Sequence, residues 1–296
     1  MLSILIPVYN YNVVPLVEAL QKNMQGLNIP YEIIVFNDAS SSFLNENLVL
    51  KEKQNVVYEI LDENIGRSKI RNLLAKKANY EWLLFLDSDV IPANTTFISD
   101  YLPFINTEVK VVYGGILYSE KKPEKEKLLR WIYGKERESL PFNIRSKKPY
   151  ISFLTLNFLV HKSIFEKVSF NESIPNLRHE DTLFSYNLKQ QQIPIFHINN
   201  PVYHLGLDTF ENAIQKENEA LLALKNLLDR NLIAFDYLKI SRLFHIIKRC
   251  QLVIFIGLIH NRISSLMINN LASSQPSLFI YDLYRLGYLC KLYTKK

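Results

Sequence analysis

Cysteine is scarce in this 296-residue chain. Cys250 and Cys290 are the only two and no CxxC spacing occurs, which argues against a disulfide scaffold and against a thiolate metal site. The expected setting is therefore reducing and cytoplasmic. No low-complexity tract or short-period repeat interrupts the chain, and its apolar and charged fractions are ordinary for one large domain, or one domain with an appendage. The start, MLSILIPVYN, lacks a basic n-region and a small-residue cleavage site, so it reads as a first strand rather than a signal peptide. Long apolar runs are missing as well. The stretch LVIFIGLI at Leu252–Ile259 falls well short of the roughly twenty residues that a bilayer crossing needs.

What is present begins with charge. The formal net charge is +6, and much of the excess lies in Lys121–Lys148 and in a tail holding Lys248, Arg249, Arg262, Arg285, Lys291, Lys295 and Lys296. A modest positive balance suits an anionic small molecule, anionic lipid heads or nucleic acid, and a solvated surface is the simpler explanation. No motif points to nucleic acid, which is not expected as a partner.

Two periodicities alternate up to about residue 117. Ser3–Val8, Tyr31–Phe36, Val56–Ile60, Trp82–Leu86 and Val111–Leu117 are short apolar runs that read as strands buried on both faces. Val13, Leu16, Val17, Leu20 and Met24 follow helical spacing, as do Ile70, Leu73, Leu74 and Ala78 behind Gly66. This alternation predicts an α/β domain with a mixed, mostly parallel sheet. Ser119–Tyr150, with Pro123, Pro141 and Pro149, reads as an excursion that is helical around Lys125–Glu138. Phe153–Val160 reads as a strand, Asp181–Gln190 as a helix, and Phe210–Asn231 as an amphipathic helix. The predicted division is residues 1–210 as the α/β domain and 211–296 as a helical C-terminal appendage. For the tail two alternatives stay open: helices packed on the preceding domain, or a basic amphipathic segment over residues 243–296 lying peripherally in a membrane interface.

Chemistry gathers at strand ends. In WLLFLDSDV, Asp87 and Asp89 follow an apolar strand, where open α/β sheets bind ligands. Two carboxylates so close call for a compensating cation, and Mg²⁺ or Mn²⁺ shared with substrate phosphates is the natural one; helix capping by an aspartate is the plainer alternative. Phosphatases of the haloacid-dehalogenase type also carry DxD after a strand, but on the first strand, whereas here it follows the fourth. Pro7 ends the first strand, and Tyr9 stands where a base could stack or where a turn tyrosine packs on the core. Asp38 can accept an N–H of a base or close an Asx turn. Gly66 and Arg71 offer a helix N-terminus and a guanidinium to a diphosphate. Glu180 and Asp181 open a helix, as ordinary dipole complements or as a general base that deprotonates an acceptor hydroxyl. His204, after another strand-like run, is a structural histidine or a third metal contact. Trp131 and Tyr133 offer flat apolar faces to a ligand or form a helix edge.

Taken in order, ILIPVYN, EIIVFNDAS, NIGRSKIRN, WLLFLDSD, LNFLVHKSIFEKVSFNE and RHEDTLFSYNL resemble family 2 glycosyltransferases of the GT-A fold over roughly residues 1–205. The resemblance implies an inverting transfer of a sugar from a nucleotide donor, UDP-linked, to a glycan or lipid-linked acceptor of cell-envelope polysaccharide biosynthesis. It places the donor at Pro7, Tyr9, Asp38, Asn64, Gly66, Arg71, Asp87 and Ser88, and Mn²⁺ or Mg²⁺ at Asp89, Asp87 and His204. Asp181 is the implied base with Glu180 in support, and Arg178 and His179 flank the acceptor beside Trp131 and Tyr133. Asn37 stands where the family often has a second Asp, so the base contact falls on Asp38. A nucleotide-binding protein that has lost catalysis is the alternative, and the intact acid pairs speak against it. The expected location is cytoplasmic, on the inner face of the cytoplasmic membrane if the tail binds lipid.

Overall fold

A computed structural model describes residues 1–105, 107–176 and 178–294. In chain order the strands are β1 (Leu2–Val8), β2 (Tyr31–Asn37), β3 (Val56–Ile60), β4 (Trp82–Leu86), β5 (Val90–Pro92), β6 (Val111–Tyr113), β7 (Ile116–Leu117), β8 (Asn157–His161), β9 (Phe196–His197) and β10 (Val202–His204). The helices are α1 (Val14–Met24), α2 (Leu44–Leu48), α3 (Arg67–Lys77), α4 (Leu128–Tyr133), α5 (Phe142–Arg145), α6 (Lys162–Lys167), α7 (Glu180–Gln190), α8 (Phe210–Asp229), α9 (Lys239–Arg249), α10 (Val253–Leu271) and α11 (Leu278–Leu292). Contacts divide the chain into two units. The first comprises Met1–Ser119, Glu138–Glu172 and Glu180–Gly206, and the second Glu120–Arg137, Ser173–His179 and Leu207–Lys296.

The first unit is an α/β domain. Its seven-stranded sheet runs β3-β2-β1-β4-β8-β6-β9, with β1 parallel to both β2 and β4 and β8 antiparallel to β4 and β6. The inner strands are apolar on both faces because helices cover both: Ile4, Leu5, Ile6, Ile33, Val35, Leu83, Leu84 and Leu86 are all buried. The strand order reverses beside β1, the point at which open sheets of this kind leave a ligand crevice outside their carboxyl ends. PVYN and LDSD leave the sheet at that end.

A second, three-stranded sheet, β5-β10-β7, completes the unit. The run Val111–Leu117, expected as one strand, is two, because β6 belongs to the large sheet and β7 to the small one. The break falls at Gly114 and Gly115. A Cβ on Gly114 would lie 2.3 Å from the Asn200 carbonyl and 2.4 Å from the Tyr101 hydroxyl, and Gly115 has φ +105°. A side-chain-bearing residue would be both crowded and strained there. The strand expected over Phe153–Val160 begins only at Asn157, whose amide donates to the Gly115 and Asn200 carbonyls at 3.0 Å each. Phe153 instead packs into an aromatic cluster with Phe158 and Phe184.

In the second unit α8 and α11 meet through buried polar contacts. Arg285 donates to Glu217 at 2.5 Å, Tyr281 to Glu217 at 2.8 Å and Tyr284 to Asn218 at 3.1 Å. An apolar cluster of Leu129, Leu271, Leu278, Tyr281 and Tyr284 fills the space between α4, α10 and α11. The helices α10 and α11 lie close where Gly287 faces His260.

Candidate active site

The site is built at the carboxyl ends of β1, β2 and β4 and at the amino end of α7. The loop after β1 is tied to the loop after β2. Asn10, in the left-handed region at φ 51°, accepts from Ser41 N at 2.8 Å and Ser42 N at 3.1 Å, and donates its own N–H to Ser40 Oγ at 2.8 Å. This leaves Tyr9 at the rim with its ring 56 % exposed, free to meet a flat partner. Pro7 lies within β1, half-buried.

Asp38 is buried, and its two oxygens accept from Ile65 N at 2.7 Å and Gly66 N at 3.0 Å; Asn64 donates to its carbonyl at 3.1 Å. The end of β2 thereby sets the approach to α3, where Gly66 turns at φ +83°. Burial holds the Asp38 carboxyl above the ordinary carboxylate range, and the two N–H bonds oppose that without cancelling it. Asn37 is fully buried, bonded to Tyr58 and Ser40.

Arg71 is the hub. Only 4 % exposed, it donates from Nη2 to Asp87 Oδ1 at 2.7 Å and from Nη1 to Glu180 Oε1 at 3.3 Å. Arg67 Nη1 adds a second cation 3.5 Å from the same Glu180 oxygen. The guanidinium lies over the Phe170 ring at 5.4 Å. Phe170 stacks on Phe184 of α7 at 4.6 Å between centroids, so packing fixes the helix whose first turn carries the acids. The side chain expected at a diphosphate is thus bonded to two carboxylates, one from WLLFLDSD and one from RHEDTLFSYNL. The nearby acids more than offset burial and raise the Arg71 pKa.

Asp181, next in the chain, receives no such bridge. Its Oδ1 accepts from Thr182 N at 2.6 Å. Burial, then the neighbouring Glu180 carboxylate, push its pKa up to about 6. His179, just ahead of it, takes φ 70°, which sets the entry to α7.

Asp89 ends the turn after β4 and faces the second sheet. Register places His204 opposite Val90, Leu205 N donates to the Asp89 carbonyl at 2.8 Å, and His204 Nε2 lies 3.3 Å from Asp89 Oδ2. Burial raises the Asp89 pKa, His204 lowers it and Asp87 raises it. His204 Nδ1 is buried with no hydrogen-bond partner. Ser88 sits half-buried between the two aspartates.

The four expected acceptor residues belong to the second unit. Lys135 Nζ stands 5.3 Å from the Trp131 ring centroid, and Tyr133 packs edge-on against Tyr281 at 5.5 Å. Arg178 and His179 are half-buried in the short segment Ser173–His179.

Two residues beside the site were not singled out in the sequence. Tyr11 lies in the field of Asp89, which together with burial raises its phenol pKa. Gly206 leaves no room for a side chain, since its Cβ would fall 2.3 Å from Asp89 Oδ2. The glycine after a strand-end histidine was the only hint of it.

Among the described residues no three His, Cys, Asp or Glu side chains gather into a metal cage. Asp89 Oδ2 and His204 Nε2 instead form a two-donor edge. Such an edge fits an ion that shares the rest of its coordination with substrate oxygens and water.

Comparison with known proteins bears on the family and the fold. The profile of Glycosyl transferase family 2 matches residues 3–169. An uncharacterized glycosyltransferase of Rickettsia bellii (strain RML369-C) is 30% identical over 87 residues, which is 29% of this chain and 12% of that protein; the chain spans a small part of that relative's length. Among solved structures, the mannosyltransferase PcManGT from Pyrobaculum calidifontis, in complex with GDP-Man and Mn²⁺, superposes with a TM-score of 0.61 at 12% identity, covering 100% of this chain and 88% of that one. S. aureus TarS has a TM-score of 0.50 at 16% identity, covering 97% of this chain and 54% of that one. With the profile spanning more than half its length and the GT-A architecture in place, the chain belongs to glycosyl transferase family 2.

Proposed function

We propose that this enzyme moves a sugar from a nucleotide-diphosphate donor, with UDP the expected nucleotide, to a hydroxyl of a glycan or lipid-linked acceptor, inverting the anomeric centre. The observation that carries this is the Arg71 bridge. One buried guanidinium ties the end of β4 to the start of α7, so the donor-side acids and Asp181 are held in one constellation. The base of the donor is assigned to the exposed face of Tyr9 and to Asp38. The GDP-Man and Mn²⁺ bound by PcManGT support a nucleotide-sugar and a divalent ion here as well.

In the proposed reaction the acceptor oxygen attacks the anomeric carbon from the face opposite the diphosphate. The bond from that carbon to the diphosphate oxygen breaks, and its electron pair leaves with the nucleotide. Asp181 takes the hydroxyl proton as the new bond forms; a carboxyl with a pKa of about 6 is a stronger base than an ordinary aspartate and is still ionised at neutral pH. Glu180 and Asp87 act through Arg71, which fixes both and holds the end of β4 to the start of α7. Asp89 and His204 are assigned to hold Mn²⁺ or Mg²⁺, which when bound supplies Lewis-acid stabilisation to that leaving group.

The test is donor hydrolysis in the presence of Mn²⁺. Turnover lost in Asp181→Asn with donor binding retained supports the assignment. Unchanged hydrolysis in that variant overturns the base, and binding without turnover in the unaltered enzyme identifies an inactive nucleotide-sugar binder. A thermal-shift screen of nucleotides and nucleotide sugars, with and without Mn²⁺, reads the donor base.

A further inference from the structure

From Tyr237 to Tyr281 the chain contains no aspartate or glutamate, while Lys239, Arg242, Lys248, Arg249 and Arg262 fall within it. This stretch holds α9 and α10, which meet at 117° across Cys250–Leu252, where Gln251 takes φ 59°. One face of α10 is committed. Gly257 and His260 are buried where α10 meets Lys291 and Gly287 of α11. The rest is bare. Ile254 is 65 % exposed, Phe255 59 %, Leu258 57 % and Leu266 68 %, and Leu243 and Ile246 of α9 are exposed too. Phe255, Leu258, Arg262 and Leu266 recur at helical spacing on one side of α10, and Arg242 and Arg249 stand exposed beside the apolar residues of α9.

A soluble surface does not leave several large apolar side chains together in water without a partner. No single helix among the described residues is long and apolar enough to cross a membrane. A second copy of this chain is disfavoured by charge: a two-fold contact through this face would set its cations against themselves, with no acid in the stretch to neutralise them. We propose that α9 and α10 form a bent interfacial anchor for an anionic lipid leaflet. Leu243, Ile246, Ile254, Phe255, Leu258 and Leu266 would enter the acyl boundary, with the flanking lysines and arginines at the headgroups. Such a helix gains from buried apolar area and from cation–headgroup attraction together. The glycosyl-transfer assignments above do not enter into this proposal.

The test is sedimentation of the full chain with vesicles of phosphatidylcholine and phosphatidylglycerol in equal parts, against vesicles of phosphatidylcholine alone. The expected result is pelleting with the anionic vesicles only, reversed by high salt. The triple variant Ile254→Ser, Phe255→Ser, Leu258→Ser and the double variant Arg249→Glu, Arg262→Glu should each weaken partitioning about tenfold or more. Because all five side chains are exposed, Tm should be unchanged in both variants. Failure of the unaltered chain to pellet, or pelleting unaltered in both variants, overturns the proposal. So does a solution dimer that the serine variant dissociates in a chain that ignores vesicles, since that result assigns the face to a second copy.

Discussion

The acids of the active site fall into two halves that the fold treats differently. Asp87 and Glu180 are closed on the buried guanidinium of Arg71. Asp89 and Asp181 have no arginine bond of that kind. Burial raises both of their pKa values, Asp181 to about 6. A carboxylate closed on a buried guanidinium is a good brace, because its oxygen is already engaged. A half-buried carboxylate beside another acid has the opposite character: it binds protons more readily and is available to a cation or to an acceptor hydroxyl. Within each sequence motif, DSD and ED, one acid is therefore closed on arginine and its near neighbour is not; in the proposed function the first braces the site and the second does the chemistry.

The comparison breaks most visibly at Asp181. Asp181→Asn should lower kcat by about a thousandfold, the range of a lost general base, while donor affinity measured by calorimetry stays within a few-fold. The braced half should respond in stability instead. Arg71→Met removes the guanidinium that Asp87 and Glu180 share, leaving Arg67 3.5 Å from Glu180, and removing one member of a buried ion pair costs about 3 kcal/mol, to be read from urea unfolding. Asp89→Asn should weaken Mn²⁺-dependent donor binding by about tenfold and leave metal-free binding unchanged, consistent with loss of one ligand from a shared coordination shell. Smallest is a stability gain. A carboxyl whose folded pKa lies above its unfolded one binds protons more tightly when folded, so its contribution is lost as pH rises through the folded value. At pH 7 Asp181→Asn should therefore raise stability by about 1–2 kcal/mol, a gain that vanishes as pH falls below the unfolded value of 3.8.

Much of the first unit could be read from its residues because strands buried on both faces are plain apolar runs; β3 and β4 have the limits the sequence suggested. The order of motifs along the chain was also sufficient to suggest the family. What the sequence concealed is long-range. Arg71 and Glu180 are 109 residues apart, and nothing in NIGRSKIRN distinguishes an arginine facing a diphosphate from one closed on two carboxylates. The split of Val111–Leu117 depends on Tyr101, Asn157 and Asn200 crowding Gly114, none of them near it in sequence. Gly206 is required only because Asp89 arrives from another sheet element. In the second unit, periodicity predicts helices but not which face is bare; that depends on Gly257 and His260 turning one side of α10 toward α11.

The most direct measurement is the pH dependence of kcat for sugar transfer in the unaltered enzyme and in Asp181→Asn. Since the base works ionised, kcat should climb with pH through an apparent pKa near 6, the value that burial and Glu180 impose on Asp181, and the residual rate of the variant should lack that limb. An identical rising limb in Asp181→Asn would show that another group accepts the proton and would contradict the division of the acids into brace and base.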